Sequence, residues 1–207
     1  MANLEFRYGP MNSGKSMALL QMAYNYEENN KKVILIKSVI DTKGGDYLVS
    51  RIGPKRKIQI KLDKKESLLS NKYIEEIKKT DAILADEAQF LTKSQVEELW
   101  IISKKFDIPV VCFGLKTNFK SEFFEGSKRL FELSDKFKEL ETICKCGKKA
   151  RFNARKINGK YVKDGLENVI DGENKETKYV PLCGKCYLEK VFKKSIKFDI
   201  FLKLKSL

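Results

Sequence analysis

Residues 9–16 read Gly9-Pro10-Met11-Asn12-Ser13-Gly14-Lys15-Ser16, and the fold turns on how they are read. They fit G-x-x-x-x-G-K-[ST], a pattern whose glycines let backbone N–H groups curl round phosphates while the next helix N-terminus adds favourable partial charge. The flanks agree. Leu4-Glu5-Phe6-Arg7-Tyr8 alternates as a strand does, and Met17 to Asn29 carries no proline or internal glycine and reads as a helix. In that setting Lys15 reaches the β- and γ-phosphates, and the Ser16 hydroxyl is placed to ligate Mg²⁺. Lacking those flanks, the stretch would be only a glycine- and serine-containing turn. With them, the chain is expected to bind a nucleoside triphosphate.

Outward from the loop, Val33-Ile34-Leu35-Ile36 is a short apolar run that suits a buried parallel strand. Asp41 to Asp46 and Ser50 to Pro54 are rich in turn formers and read as a mobile loop beside the phosphate site. Ile58, Ile60 and Leu62 alternate as a strand. Asp63 with Glu66, followed by Leu69, Tyr73 and Ile77, suggests a helix. Ala82-Ile83-Leu84-Ala85 is a second buried strand, ending at Asp86-Glu87. A capping box, Thr92 to Gln95, opens a helix through Val96, Leu99 and Phe106, and Val110-Val111-Cys112-Phe113 is another strand. Strands alternating with helices imply an α/β fold: a P-loop (RecA-like) parallel sheet flanked by helices. At the end of its strand, Asp86 fits the acid that supports Mg²⁺ directly or through water. Glu87 fits the carboxylate that polarises an attacking hydroxyl or water.

The chain has 207 residues, a net charge of +14 and an apolar fraction of 42%. That is enough for one full α/β domain, with no leader or membrane-spanning run, so a cytoplasmic protein is expected. The charge invites a nucleic-acid reading, but only six basic residues are arginine and the lysines are scattered, so a solvated lysine surface is the better reading. The absence of histidine excludes histidine acid–base chemistry and histidine metal ligands. Beyond Thr142 the composition becomes loop-like. Cys144 and Cys146 are followed, after 36 intervening residues, by Cys183 and Cys186. In an intracellular chain this pattern reads as a structural Zn²⁺ site stapling a small module, with a redox pair as the alternative. Cys112 reads as a core residue. The expected division is residues 1–141 as the nucleotide-binding part, 142–190 as a zinc-ribbon module and 191–207 as a tail of unknown role.

Gly9–Ser16, Asp86-Glu87-Ala88-Gln89-Phe90, Gly114-Leu115-Lys116-Thr117-Asn118-Phe119, Phe124-Glu125-Gly126-Ser127 and the paired cysteines occur in an order that closely resembles the type II, cytosolic-type thymidine kinases, from about Phe6 to Tyr187. The resemblance implies transfer of the ATP γ-phosphoryl group to the 5′-hydroxyl of thymidine or deoxyuridine, with Glu87 as general base. It implies an ATP site formed by Gly9 to Ser16 with Asp86, Glu87, Ala88 and Gln89, and Mg²⁺ at Ser16 and Asp86. The base pocket it implies has Met11, Leu115, Phe119 and Asn153 as walls, and a lasso from the zinc module bearing Val169, Ile170, Asp171 and Gly172, with Tyr179 on the sugar side. It also implies a homotetramer inhibited by thymidine triphosphate; the scarce arginine and the lack of a long apolar run lead to no nucleic acid and no membrane being expected as partner. Three features depart from the family. Lys43 stands where an arginine is common, with Arg51 as a candidate compensator. Lys175 and Glu176 look like extra lasso residues. Ile196, Phe198, Ile200, Leu202 and Leu204 alternate in a tail that the resemblance does not cover. The reading that competes with this one is a P-loop ATPase with a zinc-ribbon nucleic-acid module.

Overall fold

In the computed structural model, residues 1–50, 53–165 and 177–192 are described. Arg51, the lasso positions Val169 to Gly172, Lys175, Glu176 and the tail from 193 onward lie outside them.

β1 (Leu4–Tyr8) runs through the phosphate loop into α1 (Lys15–Glu28). The helix starts two residues before the expected Met17. Gly14 serves as its N-cap at φ 76°, a left-handed conformation open to glycine at little cost, which turns the loop directly into the helix. β2 (Val33–Ser38) is buried at every residue. β3 (Tyr47–Val49) and β4 (Lys55–Lys57) form an antiparallel hairpin of their own, and β5 (Ile60–Leu62) returns to the main sheet. The alternation at Ile58, Ile60 and Leu62 therefore spans two elements: the Ile58 amide donates to Asp46 in the hairpin, and the Gln59 amide to Leu35 in β2.

The helix expected from Asp63 is mostly turns, with only α2 (Ile74–Ile77) helical. The reason lies in tertiary competition. Gln95 Nε2 donates to the carbonyls of Asp63 and Glu66 at 2.7 and 3.0 Å, and the Leu68 amide donates to Glu98 at 2.7 Å. Groups that a first helical turn would pair locally are already taken.

β6 (Ala82–Asp86) is followed by a 3-10 turn over Ala88–Phe90 and then α3 (Lys93–Lys105), whose Thr92–Gln95 capping box is formed in both directions. Next come β7 (Val110–Gly114), α4 (Glu125–Leu133) and β8 (Lys136–Glu139). The six-stranded sheet has the order β5-β2-β6-β7-β1-β8 with every pair parallel. One strand, β7, thus separates the phosphate-loop strand from the strand that ends in Asp86. One face carries Leu4, Phe6, Ile34, Ile36 and Ile83 under Leu99 and Ile102 of α3 and Leu130 of α4; the other carries Leu35, Leu84 and Phe113 under Leu19 and Ala23 of α1. Each fully buried aliphatic side chain here is worth roughly 1.5–3 kcal/mol.

The cysteine-bearing part forms a three-stranded antiparallel sheet, β9 (Phe152–Ile157) between β10 (Lys160–Val162) and β11 (Thr177–Leu182), with α5 (Gly184–Val191) packed on it. Its apolar cluster is small, comprising Ala150, Ala154, Leu182, Tyr187 and Val191 with three of the cysteines. The need for a staple follows from so small a core.

Gly126 in α4 faces the 3-10 turn so closely that a Cβ would lie 2.6 Å from the carbonyl oxygens of both Ala88 and Leu91. Both neighbours are backbone and cannot swing aside. Gly126→Ala is expected to destabilise the fold by about 1–3 kcal/mol, as overpacking does, read as a lowered Tm in thermal unfolding.

Candidate active site

The carboxyl ends of β1, β6 and β7 open onto a cavity of about 330 Å³ lined by Met11 to Met17, Lys43, Val49, Ser50, Glu87 and Leu115. Such a crevice beyond the strand ends is where parallel α/β sheets bind ligands. Lys15 is 7% exposed and its ammonium donates to the carbonyls of Gly9 and Pro10 at 3.2 and 2.9 Å, so the cation is held across its own loop. Ser13 Oγ is buried and finds no hydrogen-bond partner among the described residues. A loop of this kind, with a cation, a spare hydroxyl and the N-terminus of α1, suits a phosphate.

Ser16 Oγ approaches Asp86 Oδ2 at 3.5 Å. Asp86 Oδ1 is buried and has no partner among the described residues. Burial first, and then the neighbouring Glu87 charge, push the Asp86 carboxyl up to about 7 against the pull of the Glu87 amide and Lys15. A hydroxyl and an under-satisfied carboxylate oxygen facing a phosphate loop are the hard oxygen donors that Mg²⁺ takes, so these residues fit the ion.

Glu87 sits at φ 46°, ψ 41°, a left-handed conformation for a residue with a Cβ, costing about 1–3 kcal/mol. From this turn Glu87 lines the cavity. Gln89 holds it there: Gln89 Nε2 donates to Glu87 Oε2 at 2.5 Å while Gln89 Oε1 accepts from the Leu115 amide at 2.9 Å. Ser127 Oγ in turn donates to the Leu115 carbonyl at 2.5 Å. Gln89, expected in the ATP site, is therefore the clamp between Glu87 and the strand-β7 loop, and it does not line the cavity.

Of the positions expected to line a base pocket, Met11 and Leu115 are on the cavity wall. Asn153 borders a smaller space of about 20 Å³ beside Gly9 and Pro10, and its amide is engaged at both ends. Phe119 is buried, with the Arg155 guanidinium 3.7 Å above its ring centroid. Tyr179 lies on β11 opposite Arg155. Sequence reasoning missed Lys37, buried at the end of β2 and paired with Asp41 at 2.8 Å; Asp41 Oδ1 accepts from the Lys43 amide at 3.1 Å, and Lys43 reaches the cavity. The available signal was a lone lysine directly after the apolar run of residues 33–36.

The sulfur atoms of Cys144, Cys146, Cys183 and Cys186 all lie within 4.8 Å of one another, and none is in a disulfide. Tetrahedral Zn²⁺ with Zn–S near 2.3 Å requires sulfurs about 3.8 Å apart, so the set fits that ion. Burial pushes the Cys144 thiol up, but amide donors from Cys146 and Cys183 outweigh it and bring it to about 6, whereas hydrogen bonding with Cys146 and burial take Cys186 up to about 12.

A protein-family model described as thymidine kinase matches residues 2–187. The thymidine kinase of Streptococcus gordonii is 44% identical over 191 residues, covering 91% of this chain and 97% of that protein. That of Pasteurella multocida is 42% identical over 195 residues, covering 92% and 99%. That of Francisella tularensis subsp. tularensis is 38% identical over 196 residues, covering 93% and 100%. Among the described residues no helix is long and apolar enough to cross a membrane.

The raised Asp86 carboxyl carries a stability cost with a definite sign. The folded state holds this proton up to about pH 7 and the unfolded state releases it near pH 4, so stability falls as pH rises between those values. Asp86→Asn is expected to abolish that slope in the metal-free protein and to raise its Tm at pH 8 by more than at pH 4. Thermal melts at the two pH values check this; equal gains would show that Asp86 is ionised without penalty.

Proposed function

The chain belongs to the thymidine kinase family, and from this we propose that the cavity between the phosphate loop and Asp86–Glu87 is where the ATP γ-phosphoryl group passes to the 5′-hydroxyl of thymidine or deoxyuridine. The observation that carries the reading is the placement of Glu87. Its carboxylate is aimed by a strained backbone and a glutamine clamp into the same cavity that the phosphate loop opens onto.

Gly9 to Ser16 form the loop around the triphosphate, with the amides after Met11 as its donors, and Lys15 leaves its loop carbonyls for the phosphate oxygens, a stronger, charge-assisted partner. Ser16 and Asp86 hold Mg²⁺, which when bound neutralises charge on the phosphate oxygens. Glu87 accepts the proton of the attacking hydroxyl, and Gln89 keeps the acceptor oxygen aimed while that proton moves. Lys43, on the cavity wall, offers a point charge where an arginine would make a forked contact. Met11 and Leu115 supply apolar surface for the base. Phe119, Asn153 and Tyr179 complete the acceptor side as walls or as supports of walls; the part assigned to Val169 to Gly172 rests on family resemblance alone. The four cysteines hold Zn²⁺ as a closed structural site, and the module they staple, residues 142–190, covers the acceptor side of the kinase part, residues 1–141. A homotetramer under thymidine triphosphate control belongs to the same reading and rests on family resemblance.

Glu87→Gln is expected to keep ATP binding and lose about 10²–10⁴-fold in thymidine-dependent ADP release. Turnover near the wild-type rate would remove Glu87 from the base role, and ADP release driven by single-stranded DNA rather than thymidine would overturn the reading altogether. Elemental analysis is expected to find one Zn²⁺ per chain, and its chelation to lower the Tm; a metal-free protein with unchanged melting would return the cysteines to redox chemistry.

A further inference from the structure

Asn153 lies on β9, the central strand of the cysteine-bearing sheet, yet both of its side-chain hydrogen bonds leave that sheet. Its Oδ1 accepts from the Met11 amide at 2.8 Å, inside the phosphate loop, and its Nδ2 donates to the Thr117 carbonyl at 3.3 Å, in the loop after β7. The side chain is 5% exposed, so these bonds form out of water, where losing them leaves a buried amide N–H unsatisfied.

The loop needs that hold. Asn12, directly after Met11, stands at φ 65°, a left-handed conformation for a residue with a Cβ. Such a conformation persists only where neighbouring contacts impose it, and the residues that follow, Ser13 to Met17, line the cavity. The Met11 amide is consequently a fixed point of the loop rather than one of its phosphate donors. Asn153 is itself fixed from the cysteine side. Its neighbour Phe152 stacks on Tyr187 with centroids 4.8 Å apart, and Tyr187 follows Cys186 on α5. The Arg151 amide donates to the carbonyl of Leu182, which precedes Cys183.

We propose that Asn153 is a positioning residue for the phosphate donor: through it the cysteine-stapled module sets the shape of the phosphate loop, and so its affinity for ATP, before any nucleoside binds. The inference rests on the reading of that loop as the ATP site, and it assigns the module a second task beyond covering the acceptor.

A second contact between the same two parts supplies the control. Tyr187 Oη donates to the Phe119 carbonyl at 2.5 Å and accepts from Ser121 Oγ at 3.1 Å, tying the module to the core without touching the phosphate loop. Equilibrium binding of ATP, measured by displacement of a fluorescent ATP analogue without nucleoside, is compared across the full-length wild type, Asn153→Ala, Asn153→Ser and Tyr187→Phe, with the Tm of each. The serine variant keeps a polar group too short to span both partners and guards against a poorly folding alanine variant. Both Asn153 variants are expected to bind ATP roughly three- to tenfold more weakly, the worth of about one hydrogen bond, while Tyr187→Phe stays within about twofold. Equal losses in all three would reduce Asn153 to a general stability element and overturn the proposal, as would Asn153 variants that bind ATP like the wild type and show only a raised KM for thymidine. Failure of the wild type to bind ATP would overturn both this inference and the reading it rests on; the other outcomes bear on Asn153 alone.

Discussion

Asp86 ends a strand that is buried along its whole length, and its carboxylate shares the interior with Glu87, Lys15 and Asp41. A parallel sheet makes this arrangement possible, because all its strands deliver their carboxyl ends to one side. The order of the sheet then matters. β7 stands between β1 and β6, so the phosphate loop and the acidic pair leave the sheet about 10 Å apart, two strand spacings. α1 closes part of that gap by leaning over β7 and β6, and Ser16 in its first turn comes within 3.5 Å of Asp86. The distance that remains is filled by the cavity.

A buried acid without a full set of partners destabilises the fold, and in the proposed reading the missing partner arrives with the ligand. The same logic extends to Glu87, whose left-handed backbone is held by Gln89, by the 3-10 turn and by α4 packed on that turn through Gly126. Each element has a structural reason that ends at the position of one carboxylate. Lys37 and Asp41 fix the backbone of Lys43 on one side of the cavity, and Gln89 fixes the side chain of Glu87 on the other.

Among its described residues the cysteine-bearing part has only a small apolar cluster, and polar, specific contacts tie it to the core, among them Asn153 to Met11 and Thr117, Tyr187 to Phe119, and the Arg155 guanidinium on the Phe119 ring. These reach the phosphate loop or the segment after β7 that also anchors Gln89, and a further ion pair, Lys149 to Glu139 at 2.7 Å, ties the module to β8. The geometry therefore joins the cysteine-bearing part to the phosphate loop and to the segment after β7 by short hydrogen-bonded paths.

By itself the sequence determined what depends on local pattern. The loop at Gly9–Ser16, the strands over 33–36, 82–85 and 110–113, the capping box at Thr92 and the four metal-fitting cysteines were legible because each is a short-range signal with one physical meaning. Motifs such as Gly114–Phe119 and Phe124–Ser127 were visible as resemblance, but their reason was not, since Ser127 acts on Leu115 and Gly126 on Ala88 across the chain. Only the tertiary structure decided that the stretch after Asp63 would not be a helix, because Gln95 and Glu98 take its backbone groups from 30 residues away. It also decided that Lys37 would be buried, that Gln89 would clamp rather than line the cavity, and that Asn153 would reach the phosphate loop. In each case the deciding partner lies far along the chain, and hydrogen bonds between distant segments leave no periodicity to read.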